Sequence, residues 1–147
     1  SLTTYVRKGI EAGATLTTED VDQALRMKAL IQQRVAALFE QYDLLVTPTT
    51  ACTAFPIDAR PTMIDGFKVD PLWGPFPFTA PFNVSGNPAA SIPVGLSSGL
   101  PVGLQVIAAH GAEAKLLDFC EDLEEALAFP KAEMERRWSG LHSPASL

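Results

Sequence analysis

Positive charge is scarce in this chain. Eleven Lys and Arg stand against seventeen Asp and Glu, a formal net charge of −6. The basic residues are scattered, and the closest pairs are Arg7-Lys8 and Arg136-Arg137. Phosphate binding needs such side chains clustered on one surface, so the composition argues against a direct nucleic-acid partner. Histidine and cysteine are equally sparse, two of each. Cys52 and Cys120 lie far apart and belong to no ligand cluster, which argues against a zinc site. Two reduced thiols in a cytoplasmic protein fit this usage better than one disulfide does. No apolar run approaches the roughly 20 residues of a membrane span. There is no signal-peptide pattern and no opening Met. Ser1 already falls in sequence with a structured pattern, so the 147 residues read as a piece of something longer.

What is present is globular: 47% apolar and 19% charged residues, enough for one domain with a buried core. A helical pattern over about 3–12 meets Gly13, a residue suited to a left-handed cap. Thr17, with Asp20 three residues on, reads as an N-cap. The helix it opens is expected over 18–41, with Val21, Leu25, Ile31, Val35, Leu38 and Phe39 on its apolar stripe. Asp43 to Thr47 reads as a short buried strand closed by Pro48.

Residues 47–83 form the odd stretch, read as one long loop. It holds seven of the twelve prolines and six of the twelve aromatics, Phe55, Phe67, Trp73, Phe76, Phe78 and Phe82. Disordered segments are poor in aromatics, so an ordered loop that lines a site or covers the core is expected. A hairpin over 89–108 follows, with Leu96 to Leu100 as its connection. In its second strand Val102, Leu104 and Val106 share one face, and Gly103 and Ile107 the other. Gln105 is the lone polar residue there and must find partners if buried. Pro93 cannot donate to a ladder and should mark an edge or a bulge. A last helix is expected over 112–128, with Leu116, Phe119, Cys120, Leu123 and Leu127 on its buried face.

Spacing alone yields no catalytic constellation. His110 follows a strand end and reads as a loop hydrogen-bonding residue or a base; His142 sits in the tail. Glu121, Asp122, Glu124 and Glu125 read as the solvated face of the last helix. Ser85-Gly86 and Ser97-Ser98 are turn-type serines. Gly95, Gly99 and Gly103 form no phosphate loop, because no helix with a Lys follows.

One run is specific. Asn83-Val84-Ser85-Gly86-Asn87-Pro88-Ala89-Ala90-Ser91-Ile92-Pro93-Val94-Gly95 continues through Gly99-Leu100-Pro101-Val102-Gly103-Leu104-Gln105. It resembles the C-terminal signature of the amidase-signature family, with Asn83, Gly86, Pro88, Pro93, Gly95, Gly99, Pro101, Gly103 and Gln105 as its structural residues. Upstream, Tyr42 to Thr49 looks like the family's Asp-led strand ending in a Pro-Thr loop. The resemblance covers roughly residues 3 to 128. It implies an α/β fold with a mixed central sheet covered by helices, to which this segment adds the last strands.

The resemblance also implies hydrolysis of a carboxamide, without a cofactor, by a Ser nucleophile, a second Ser in a cis peptide and a Lys base. In the family those residues lie N-terminal of the blocks seen here, and no such Gly/Ser-rich stretch occurs in this chain. No catalytic residue is therefore carried over, and the chain alone is expected to be inactive. The loop before the Asn-x-x-Gly block is implied to line the substrate pocket, which nominates Trp73, Phe76 and Phe78. In members that provide the amidase component of a tRNA-dependent amidotransferase, an acid stands shortly before that block. Here no acid lies between Asp70 and Phe82. An apolar wall holds an ammonium group badly, since an unpaired charge there is costly. The expectation is a cytoplasmic amidase for apolar or aromatic acyl groups. Its partners would be a small amide, the missing N-terminal part of the same enzyme and, as a candidate, a second copy in a homodimer. The amidotransferase component is the alternative, and a non-catalytic module retaining part of the fold is a third.

Overall fold

The computed structural model describes residues 3–127, 129–130 and 134–136. Helix α1 (Thr4–Gly13) absorbs Gly13 as its last residue, and the cap falls on Ala14 in a right-handed conformation. The expected left-handed glycine cap is not used, because the chain turns directly toward the next helix through Ala14 and Thr15. Helix α2 (Thr18–Leu38) opens on a full capping box. Asp20 N–H donates to Thr17 Oγ1 at 3.2 Å, and Thr17 N–H donates to Asp20 Oδ2 at 2.8 Å. Two orphan amides are thereby satisfied reciprocally. α2 ends at Leu38 rather than Gln41, closing in tight turns as Gln41 and Tyr42 N–H both donate to the Leu38 carbonyl.

The main sheet has the order β1-β5-β4, entirely antiparallel. β1 (Leu44–Pro48) and β4 (Ala89–Ser97) flank β5 (Leu100–Ala108). Paired on both sides, β5 carries the most enclosed residues: Val106, Ile107 and Ala108 are fully buried. Its apolar content on both faces reflects that position. The register slips between Pro93 and Gly95, so Val94 is an extra residue opposite the Gly103–Val102 step. Pro93 thus stands on an edge strand beside a bulge, where its missing N–H costs least. The hairpin turn is tighter than the expected five-residue connection. Ser97 pairs with Leu100, leaving only Ser98 and Gly99, both with positive φ (51° and 78°). Such two-residue turns match the twist of the flanking strands.

Helix α4 (Glu113–Leu127) covers one sheet face. Leu116 and Cys120 join Ile92, Val106 and Ala108 in the core, with Leu44, Ala90, Leu104 and Leu123 packed around them. Phe119 and Leu127, expected on that buried face, are exposed instead. At 100° per residue Phe119 falls about 60° from Leu116, at the margin of the covered strip, whereas Leu127 shares the face of Leu116 and Cys120 but is the last residue of α4. Residue 128, the expected helix end, and His142 lie outside the described residues. The α2 stripe is likewise mostly open. Only Val35 is buried and Ile31 and Phe39 half-buried, while Val21, Leu25 and Leu38 are exposed.

The stretch 47–83 is not one loop. β2 (Met63–Ile64) and β3 (Phe67–Lys68) form a small hairpin around Asp65-Gly66, whose φ values are 48° and 79°. An Asp-Gly pair is the strongest short hairpin signal. Helix α3 (Ala80–Ser85) follows, with Pro81 in its first turn and Gly86 at φ 81° as its left-handed C-cap. The motif residue Asn83 therefore sits in a helical turn that packs against α2.

Candidate functional site

The sheet face opposite α4 carries Leu45, Thr47, Gly103, Gln105, Ile107 and Ser91, as the strand register dictates. The Pro-rich connections fold across this face. Thr49 N–H donates to the Gly103 carbonyl at 2.9 Å, prolonging β1 past Pro48, and Ala51 N–H donates to the Pro75 carbonyl at 2.9 Å. Gly103 is glycine for a visible reason. A Cβ there would stand 2.8 Å from both Thr49 Oγ1 and Ser91 Oγ, which share a hydrogen bond of 2.6 Å. Gln105 is buried, and its Nε2 donates to Thr47 Oγ1 at 2.9 Å and to the Phe78 carbonyl at 3.0 Å. Its partners are thus a neighbouring strand and the aromatic loop.

Between these loops and the small hairpin lies a cleft of about 620 Å³. Pro48, Thr50 and Ala51 form one wall, Ile64, Asp65, Phe67 and Val69 a second, and Asp70, Gly74, Pro77 and Phe78 the third. The Asp70 side chain organises the third wall: Oδ1 accepts from Leu72 N–H at 2.8 Å and Trp73 N–H at 2.9 Å. Of the three nominated rings only Phe78 lines the cleft. Phe76 is half-buried outside its lining, and Trp73 is 71% exposed. Ile64, Phe67 and Val69 line it unforeseen. The Asp-Gly turn that folds them back onto the Pro48 loop was the available signal.

A second cleft of about 620 Å³ lies between α2 and the end of β5. Gln32, Ala36, Phe39, Glu40, Asn87 and His110 line it, with no Ser, Thr, Cys or Lys among the lining residues. His110 itself is exposed. Asn87 is used structurally, its Nδ2 donating to the Ala108 carbonyl at 2.9 Å. Cys120 is core, and burial, aided by the Glu124 charge, pushes its thiol pKa up, the wrong direction for a nucleophile. Cys52 is half-buried. Among the described residues no group of three or more His, Cys, Asp or Glu is placed to hold a metal ion. Nor, among them, is any helix long and apolar enough to cross a membrane.

The architecture is an α/β one in which helices cover an antiparallel sheet and Pro-rich loops build an apolar cleft on the other side. The Amidase family profile matches residues 1–117. The chain belongs to that family, the amidase-signature enzymes. The A component of glutamyl-tRNA(Gln) amidotransferase from Halothermothrix orenii is 36% identical over 106 residues, 71% of this chain and 21% of that protein. Its counterpart from Salinispora arenicola is 40% identical over 107 residues, 71% of this chain and 20% of that one. Among solved structures, a bacterial aryl acylamidase superposes with a TM-score of 0.75 at 29% identity, covering 85% of this chain and 26% of that chain. For 6-aminohexanoate cyclic dimer hydrolase the TM-score is 0.69 at 29% identity, with 86% and 29% covered. The chain therefore spans about a fifth of the length of the curated relatives it matches.

Proposed function

We propose that this chain is the C-terminal part of a serine amidase that hydrolyses a carboxamide to a carboxylate and ammonia or an amine. Its cleft receives the acyl group. The observation that carries this reading is the composition of the walls: Ile64, Phe67, Val69, Pro77 and Phe78 offer apolar surface. Apolar pockets select by size, each extra methylene being worth about 1–3 kcal/mol. The nucleophilic Ser, its bridging Ser and the Lys base belong to the remainder of the enzyme. There a neutral Lys takes the nucleophile's proton through the second Ser, and backbone amides stabilise the oxyanion. The chain alone is accordingly inactive, and that remainder is its obligatory partner.

A second reading, the amidase component of an amidotransferase, is favoured by the identity to the glutamyl-tRNA(Gln) amidotransferase proteins and by two carboxylates in the cleft lining, Asp65 and Asp70. An ammonium-bearing substrate such as glutamine would need such a charge. One Asp70 oxygen is already committed to two backbone amides, and Asp65 lies at an exposed hairpin turn. The acyl-selective amidase is therefore preferred.

The test is kcat/KM of the intact enzyme for a bulky aryl amide, for acetamide and for glutamine. Phe78→Ala removes a half-buried ring, about 1–2 kcal/mol of apolar contact, and should lower the bulky amide roughly tenfold while sparing acetamide. Trp73→Ala, at an exposed position, should change neither. Equal losses for both amides that track a fall in melting temperature would remove the cleft from the site. Glutamine as the preferred substrate would favour the amidotransferase reading.

A further inference from the structure

The two walls of the cleft that come from distant parts of the chain, Pro48 to Ala51 and Pro77 to Phe78, share one hydrogen-bonding side chain. Gln105 is only 5% exposed and sits in the central strand β5. Its single amide nitrogen donates to Thr47 Oγ1, next to the first wall, and to the main-chain carbonyl of Phe78, within the other. Those partners are 58 and 27 residues away in sequence, so no local turn chemistry holds the walls together. Ala51 N–H to Pro75 O is a main-chain hydrogen bond between the same two loops. Both Nε2 protons of Gln105 are therefore used to set the distance across the cleft. A buried amide spent in this way is costly to leave unpaired, so the side chain has one satisfied arrangement.

From this we infer that Gln105 is a positioning residue, clamping the Pro48 and Phe78 walls at a fixed separation and so setting the size of acyl group the cleft admits. The inference rests on the reading of the cleft as the acyl site, and its geometric half stands independently of that reading. Gln105→Leu puts in an apolar side chain one atom shorter, removes both donors and leaves the Phe78 carbonyl without its partner. Thr47→Val is the second variant; at nearly constant shape it removes the first-wall anchor, together with the hydrogen bond Thr47 Oγ1 donates to the Pro48 carbonyl, and keeps the Phe78 anchor if the leucine does not fold.

Hydrogen–deuterium exchange on the intact protein reads the clamp directly. Ala51 and Phe76 amides should exchange about tenfold faster in Gln105→Leu, the loss of one to two hydrogen bonds, while amides of α4 stay unchanged. Ile92→Ala, a core truncation on the α4 face, is the control for general destabilisation and should not single out those two amides. Kinetics supply the second readout: both clamp variants should change the ratio of kcat/KM between a bulky aryl amide and acetamide at least several-fold, mainly through KM. Ile92→Ala should leave that ratio alone. Unchanged exchange at Ala51 and Phe76 overturns the clamp. Faster exchange with an unaltered amide ratio leaves the clamp standing and overturns the assignment of the cleft to the acyl group.

Discussion

Replacing Gly74 by alanine places a methyl group where the structure has no room. Its Cβ would lie 2.5 Å from Val69 Cβ, 2.6 Å from the Asp70 carbonyl oxygen and 2.8 Å from Val69 Cγ2. Carbon atoms in favourable contact stand about 3.5–4.0 Å apart, so roughly 1 Å must be opened. The obstacles cannot retreat freely. Val69 N–H donates to the Thr62 carbonyl at 2.9 Å, Gly74 N–H to the Asp70 carbonyl at 2.8 Å, and Asp70 Oδ1 accepts two more amides. Overpacking by one carbon costs about 1–3 kcal/mol. Hydrogen bonds worth about 1 kcal/mol each are also at stake, which puts the expected cost near the top of that range, about 3 kcal/mol. For a unit of this length 1 kcal/mol moves the melting temperature by roughly 2–4 °C, so Gly74→Ala should lower it by roughly 6–12 °C. Gly9 is the matched control. It lies within α1 with nothing within 4 Å of a built Cβ. Alanine there removes a helix-interior glycine, gains about 0.5–1 kcal/mol and should raise the melting temperature slightly. Thermal melts of the two variants decide the matter. A Gly74→Ala protein melting within about 2 °C of the parent would mean that the Val69–Gly74 turn yields easily and that the cleft wall is soft.

Two further outcomes are expected. Thr17→Ala removes the side-chain half of the capping box, leaving the main-chain N–H donation to Asp20 Oδ2, and should cost about 1 kcal/mol, read as an earlier thermal transition, whereas Thr17→Asn should restore most of it. Acid should weaken the fold through Asp20 and Asp43, whose carboxyls are held below their ordinary 3.8 by Thr17 hydrogen bonds and by the Lys115 ammonium respectively. A lowered folded pKa contributes stability that is complete above the ordinary value and lost as pH falls through the folded one. Asp43→Asn should therefore destabilise at pH 7 and flatten the decline below pH 4 in denaturant melts. Because the pair is exposed, high salt should shrink the difference. Parallel pH profiles for parent and variant would refute the assignment.

Local rules carried the reading of the secondary structure a long way. The capping box at Thr17 and Asp20, the enclosed strand around Val106 and the edge position of Pro93 are each consequences of side-chain chemistry within a few residues. The departures from those rules are also local in origin. Asp65-Gly66 is a hairpin turn that the density of prolines around it disguised, and Ser98-Gly99 closes its hairpin in two residues where five were expected. Gly13 was available as a left-handed cap and was not needed, because the cap amide of Ala14 already bonds the Ile10 carbonyl.

The sequence by itself also pointed to the family, through the resemblance of the run from Asn83 to Gln105, and two of its glycines stand where a side chain is disfavoured, Gly86 at φ 81° and Gly103 at a close approach. Gly103 shows why: the paired hydroxyls of Thr49 and Ser91 occupy the space that a side chain would take. Only the tertiary structure decided which aromatic faces the cleft. Trp73, Phe76 and Phe78 are all large apolar rings in one short stretch, yet one lines the cleft, one is half-buried elsewhere and one is 71% exposed. What separates them is a set of hydrogen bonds from residues far along the chain: Gln105 to the Phe78 carbonyl, and Ala51 to the Pro75 carbonyl. The α2 stripe makes the same point in reverse. Its periodicity fixes which residues share a face, but burial requires a partner surface, and for Val21, Leu25 and Leu38 no part of the described chain supplies one.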